Sequence, residues 1–355
     1  MPALFGTDGA VGGGERYAYE LARHMAEVAP TTLLSFGERE MNERVGHLKI
    51  HVLGNPWHVR GQRHNPLAWR MIAELRGADV IHCHQQHILA SSAAAAYARL
   101  TRRRAFVSDL GGGGWDVSAY VSTDRWYDGH LHISEYSREV GGHSDKPWAH
   151  VILGGVDIEK FSPDHLVQRD NTVLFVGRVL PHKGINYLVE GLPDGLRLEV
   201  IGPALDERYL TDLRKLASGK CVSFRDDCDD ATLVQRYRQS LCVVLPSVYR
   251  TMYGVHTCVP ELLGQTLLEG MACGAPGLCT AVASLPEVVE NGVTGFVVPP
   301  NDSAALSERL CWLRDHPQRA VEMGAAGRRR VLERFTWPAV VKRCLTIYDG
   351  QSPVS

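Results

Sequence analysis

Short apolar runs alternate with helix-period stretches along this whole chain, and that alternation restricts it to an α/β fold built on parallel sheets. In the first half the apolar runs lie at 32–35, 51–53, 80–82 and 105–108. A stub precedes them at 3–5, and HISEYS around Ile133 gives the last strand of this half. A glycine turn, Gly12, Gly13 and Gly14, leads into a helix from about Glu15. Ala18, Leu21, Ala22, Met25 and Val28 recur along it at three- and four-residue steps. After VILGGVDIEKFSP a second set begins, with strands expected at 172–176, 197–201, 222–224, 242–245, 277–279 and 296–298. The polar, turn-rich stretch 163–171 marks the neighbourhood of a boundary.

A length of 355 residues matches about two domains at roughly 150 residues each. The expected division is 1–152, 153–335, and a C-terminal helix in 336–355 crossing back to the first domain. The net charge is -2, and basic and acidic residues balance in both halves, which excludes the cationic surface that nucleic acid requires. Arg99, Arg102, Arg103 and Arg104 form one local run, read as a solvated helix end with at most weak peripheral membrane contact. Nine cysteines without a CxxC pair, several in apolar runs such as LCVVLP, read as buried thiols in a reducing compartment. No apolar run reaches the roughly 20 residues of a membrane helix, so the expectation is a soluble, cytoplasmic protein.

Two segments carry charge where a parallel sheet binds ligands, beyond the carboxyl ends of its strands. Arg178 and Lys183 follow the strand TVLFVG. Two cations five positions apart suit the phosphates of a nucleoside diphosphate and the charge that grows on them as they depart. Taken alone, the pair also reads as ordinary surface cations. The segment PELLGQTLLEGMACGAP holds Glu261 and Glu269, with a helix expected to start near Gln265. Gly264, Gln265 and Thr266 would offer free amides to a phosphate. Eight helical residues span about 12 Å, the scale from sugar to ribose in a nucleotide sugar. Glu261 would then hold sugar hydroxyls and Glu269 the ribose; an amphipathic helix with a charged face is the alternative.

These elements occur in one order with GGGERYAYELARHM, ADVIHCH, GGVDIEKFSP, VGRVLPHKGINYLVEGL and SLPEVVENGVTGFVVPPND. In that order the chain resembles the family 4 retaining glycosyltransferases. The resemblance implies the GT-B fold, two Rossmann-like domains facing across a cleft, with the acceptor on the N-terminal side. It also implies a diphosphate clamp at Arg178 and Lys183, the two glutamates of an E-x7-E motif at Glu261 and Glu269, and a donor-phosphate glycine loop at Gly13 and Gly14. It further implies retention without a bound metal or other cofactor. Two departures stand out. Asp109 or Leu110 occupies the place where many members carry a sugar-contacting histidine, and VYRTMYGVHTCVP intervenes between Ser247 and Glu261.

Three other features invite a function. Asp226, Asp227, Asp229 and Asp230 form an acidic run, read as helix capping rather than metal binding. Gly111–Gly114 with Trp115 follows a strand, so Asp109, Gly112, Gly113 and Trp115 are candidate sugar or acceptor contacts. His82 and His84 flank Cys83 without a third ligand motif, and no metal is assigned. The expected function is transfer of a hexose-type sugar from an NDP-sugar, UDP favoured over GDP, to a hydroxyl of a sugar, glycolipid or small molecule. The alternatives are a GT-B phosphorylase or epimerase, and a non-catalytic nucleotide-sugar-binding module.

Overall fold

The computed structural model describes residues 13–111 and 114–351 and divides the chain into two compact units. One runs through Gly155 and takes up the chain again from Trp337; the other is Val156–Thr336. The stub at 3–5, Gly12, Gly112 and Gly113 lie outside the described residues.

The first unit holds two main sheets. β1 (Thr32–Gly37) pairs parallel with β3 (Leu48–Gly54), which pairs antiparallel with β2 (Met41–Val45). Trp57–His58 (β4) and Pro66–Leu67 (β5) make a short antiparallel pair. A four-stranded parallel sheet follows in chain order: β6 (Val80–Cys83), β7 (Arg104–Val107), β8 (Gly129–His132) and β9 (Ala149–Val151). β2 escapes sequence reading because its MNERV is polar and largely exposed, so no apolar run announces it. HISEYS also needs correcting. The strand ends at His132, and Ser134 caps the helix Glu135–Val140, its hydroxyl accepting from Ser137 N at 3.0 Å. The last strand of this unit is β9.

The helix Gly13–Met25 turns Tyr19 and Ala22 onto Leu48, Ile50 and Val52. The C-terminal helix Trp337–Tyr348 packs beside it, with the Tyr17 and Trp337 rings 5.2 Å apart. Arg104 donates to the Tyr348 carbonyl, and Arg343 Nη1 to Ile152 O at 3.2 Å.

The second unit is one six-stranded, all-parallel sheet: β10 (Thr172–Val176), β11 (Arg197–Ile201), β12 (Val222–Arg225), β13 (Cys242–Leu245), β14 (Gly277–Thr280) and β15 (Gly295–Val298). Their spatial order is β12-β11-β10-β13-β14-β15, the doubly wound arrangement whose direction of growth reverses between β10 and β13. β13 and β14 are buried throughout, as continuous apolar strands covered on both faces must be. Of the cysteines, Cys242, Cys273, Cys279 and Cys344 are buried thiols, whereas Cys221 and Cys258 are exposed, contrary to the general expectation of burial. No described helix is long and apolar enough to cross a membrane.

The helix Pro317–Arg334 closes on the helix Gln265–Ala272 through glycine. A Cβ at Gly324 would lie 1.9 Å from Gly274 O. Alanine gains about 1 kcal/mol of helix propensity over glycine, but a clash against backbone outweighs it. Gly324→Ala is therefore expected to destabilise this unit by about 1–3 kcal/mol, while the exposed Ala325→Ser stays near wild type; urea unfolding of both variants checks the difference.

Candidate active site at the sheet reversal

The strand order reverses between β10 and β13, the place where such sheets bind ligands, and most of the expected donor residues lie on the loops after these two strands. β10 leads into Arg178 and then the single turn Pro181–Lys183. Gly184 follows at φ +66°, and a Cβ there would lie 2.0 Å from Pro246 O. Only glycine lets these two loops touch. Val248 N donates to His182 O at 2.9 Å and completes the seam.

Across that seam, Lys183 Nζ forms an ion pair with Glu261 Oε1, both side chains about one-tenth exposed. Ser247 Oγ donates to the same carboxylate oxygen at 2.7 Å, and Ser284 Oγ to Glu261 O at 3.4 Å. Ser247 is held in turn by Thr280, whose hydroxyl donates to Ser247 O at 2.6 Å. Arg178 is exposed, and among the described residues no hydrogen bond or ion pair engages its guanidinium. His182 lies beside them; burial, and then the Lys183 charge, lower its pKa to about 4, so it is neutral at pH 7.

Gly264, at φ +85°, precedes the helix Gln265–Ala272 with no side-chain cap. The first-turn amides at Gln265 and Thr266 are thus suited to an anion. The two glutamates are not joined by continuous helix. Residues 261–264 are irregular, and Glu269 is the fifth helical residue, little more than one turn in. The 12 Å helical span expected from sequence therefore does not apply. Glu269 is 2% exposed, and its Oε2 accepts from Tyr237 OH at 2.9 Å. Sequence reading missed Ser247 and Tyr237. Tyr237 comes from the preceding helix Asp230–Gln239, and Ser247 stands 14 positions before Glu261 across the 248–260 segment, so no local pattern connects either to the glutamate it holds.

The segment 248–260 is a pinned hairpin. Arg250 and His256 form an antiparallel bridge, Thr257 N donates to Tyr249 O at 2.7 Å, and Tyr249 OH accepts from Ala283 N at 2.8 Å. Asp229 caps the helix Asp230–Gln239, accepting from Thr232 N at 2.7 Å, and Asp230 pairs with Lys160.

In the first unit, Gly13 opens its helix, and a Cβ at Gly14 would lie 3.2 Å from Leu110 Cβ. The start of this helix and Leu110 after β7 thus adjoin. Asp109 Oδ1 accepts from Gly111 N at 3.3 Å. Trp115 is pinned by Gln62 and Asn65, and Arg60 lies 4.0 Å from its ring centre, occupying one face. His82 spends its two ring nitrogens on Ser108 Oγ at 2.9 Å and Tyr348 OH at 2.7 Å.

Known proteins share this architecture. Residues 157–330 match the family described as Glycosyl transferases group 1, and residues 11–160 match Glycosyltransferase Family 4. The chain is 29% identical over 271 residues to the alpha-maltose-1-phosphate synthase of Mycolicibacterium smegmatis, covering 67% of each chain. It is 28% identical over 242 residues to a GDP-mannose-dependent monoacylated alpha-(1-6)-phosphatidylinositol monomannoside mannosyltransferase of Corynebacterium glutamicum, covering 62% of this chain and 61% of that one. Among solved structures, Anabaena HepE in complex with UDP and glucose aligns with a TM-score of 0.73 at 18% identity, over 96% of both chains. With the two matches lying in chain order over residues 11–330 and the fold shared end to end, the chain belongs to the group 1 glycosyltransferases with a family 4 N-terminal half, and is a transferase of the GT-B fold.

Proposed function

We propose that the chain transfers a hexose-type sugar, with retention, from a nucleoside-diphosphate sugar to a hydroxyl acceptor, the donor lying at the reversal of the C-terminal sheet. The observation that carries this is the convergence of an unengaged Arg178, the Lys183–Glu261 pair and the start of the helix Gln265–Ala272 on the loops after β10 and β13. Arg178, Lys183 and the amides of Gln265 and Thr266 hold the diphosphate and stabilise its charge as the glycosidic bond breaks. Glu261 takes the sugar hydroxyls, and Glu269, held by Tyr237, takes the ribose. The donor half of the reaction needs no metal or other cofactor in this reading. The N-terminal unit takes the acceptor. UDP is the proposed nucleotide; the solved HepE complexes hold UDP, while a relative named for GDP-mannose makes GDP its competitor.

A thermal-shift panel of UDP, GDP, ADP and TDP tests the donor class, because a ligand that binds only the folded chain raises its melting point. UDP is expected to give the largest rise. No rise with any of the four would sink the nucleotide assignment, and a larger rise with GDP would replace the base.

The clamp is tested by an asymmetry. Arg178→Ala removes an exposed side chain, so stability should stay near wild type while kcat/KM falls by the equivalent of ~2–4 kcal/mol. Lys183→Ala strands the Glu261 carboxylate, so it should lose activity and also stability, by ~3–5 kcal/mol if no water relieves the lone charge. Wild-type kcat/KM in a folded Arg178→Ala protein would refute the clamp.

The glutamates separate by what they bind. Glu269→Gln should weaken both UDP and the full donor by ~1.5–3 kcal/mol, since both ligands carry the ribose. Glu261→Gln should leave UDP affinity nearly unchanged while lowering turnover of the nucleotide sugar. Equal losses of UDP affinity in the two variants, read by calorimetry, would mean that the donor is misplaced between these two glutamates.

A further inference from the structure

β8 reads Gly-His-Leu-His, and its two-residue period puts His130 and His132 on one face of the sheet. His143 arrives from the turn that ends the next helix, where its amide donates to Arg138 O at 3.0 Å. Among the described residues, these three form the group of His, Cys, Asp and Glu side chains able to share an ion, one ligand atom from each lying within 4.8 Å of the others. All three are buried, at 2%, 5% and 5% exposure.

The spacing suits a metal. His132 Nε2 and His143 Nδ1 are 3.1 Å apart. Two imidazole nitrogens on a tetrahedral zinc, each at about 2.0–2.1 Å from it, stand about 3.3 Å from one another. Asp124 supplies the outer support that metal-binding histidines require. Its backbone carbonyl accepts from His130 Nε2 at 3.0 Å, which leaves the other ring nitrogen with the lone pair. Its carboxylate Oδ2 lies 3.8 Å from His143 Nε2, and Gln86 Nε2 donates to Oδ1 at 2.7 Å. The Trp148 ring lies tilted 4.7 Å from that of His130 and edge-on 4.8 Å from that of His143, and covers that side. The Asp124 side chain is 36% exposed.

We propose that His130, His132 and His143 form a three-histidine site for a divalent transition metal, zinc by its donor set, that ties β8 to the turn after the helix Glu135–Val140. It lies in the N-terminal unit, apart from the donor residues at 178–269, and its role is to hold the acceptor half of the chain together.

The untagged full chain, stripped with a chelator and titrated with Zn2+ alone, provides the test. The expected result is about one zinc per chain retained through gel filtration, a raised melting point, and a four-coordinate visible spectrum when Co2+ replaces zinc. His132→Gln and His143→Gln should abolish retention, Asp124→Asn should weaken it roughly 10–100-fold, and the exposed His58→Gln should not change it. If the histidine variants do not fold, the wild-type Co2+ spectrum decides: a six-coordinate spectrum or no bound metal overturns the site. Zinc retention unchanged in folded histidine variants overturns it as well, and leaves three hydrogen-bonded neutral imidazoles. The UDP-induced thermal shift is read in the same samples. Its loss with zinc retained counts against the donor reading alone, and its persistence without zinc counts against the metal alone.

Discussion

The ion pair between Lys183 and Glu261 is the contact on which the candidate site depends. It joins the loop after β10 to the segment after β13, the two strands flanking the reversal of sheet order. A charge pair so enclosed is a poor source of net stability, because desolvating both ions consumes most of the attraction. Its value is geometric. Losing either partner leaves a lone charge in a nearly dry site, so the two loops are held to one arrangement. Ser247 and Thr280 extend that constraint to β13 and β14 through hydrogen bonds of 2.7 and 2.6 Å.

Backbone shape makes the ion pair reachable. Gly184 is the residue that allows the turn after β10 to press against Pro246, and a side chain there would push the Lys183 ammonium away from its carboxylate. Gly264 then directs the chain from Glu261 into the helix Gln265–Ala272. The turn that follows this helix receives Pro317–Arg334 through Gly324, so the helix is packed against a second one. A rigid helix start costs little reorganisation when charge develops, which is the condition for electrostatic catalysis of a leaving diphosphate.

The two carboxylates of this site are held differently. Glu261 is engaged by a cation and a hydroxyl, whereas Glu269 is enclosed and engaged by the Tyr237 hydroxyl. The first arrangement leaves the Lys183 ammonium with further protons to donate; the second fixes one oxygen of an enclosed carboxylate. The hairpin at 248–260 is anchored at Tyr249, close to Ser247, and so begins where the site does. Met252, Val255 and Val259 stand exposed along it.

The amino-acid sequence by itself determined the β/α alternation, all six strands of the second unit, the cations after TVLFVG and the start of the helix at Gln265, because each is written in local periodicity, glycine placement or strand-end chemistry. The polar edge strand Met41–Val45 and the end of β8 at His132 were not legible, since an exposed strand has no apolar signal and Ser134 begins a helix by a capping bond. Tertiary structure alone decided that Lys183 meets Glu261, that Tyr237 meets Glu269, and that His143 meets His130 and His132. Their separations of 78, 32 and 11–13 positions are closed by parallel strand pairing or a returning turn. Such pairings depend on which strands become neighbours, a choice made by burial of whole faces and carried by no residue's immediate surroundings in the chain.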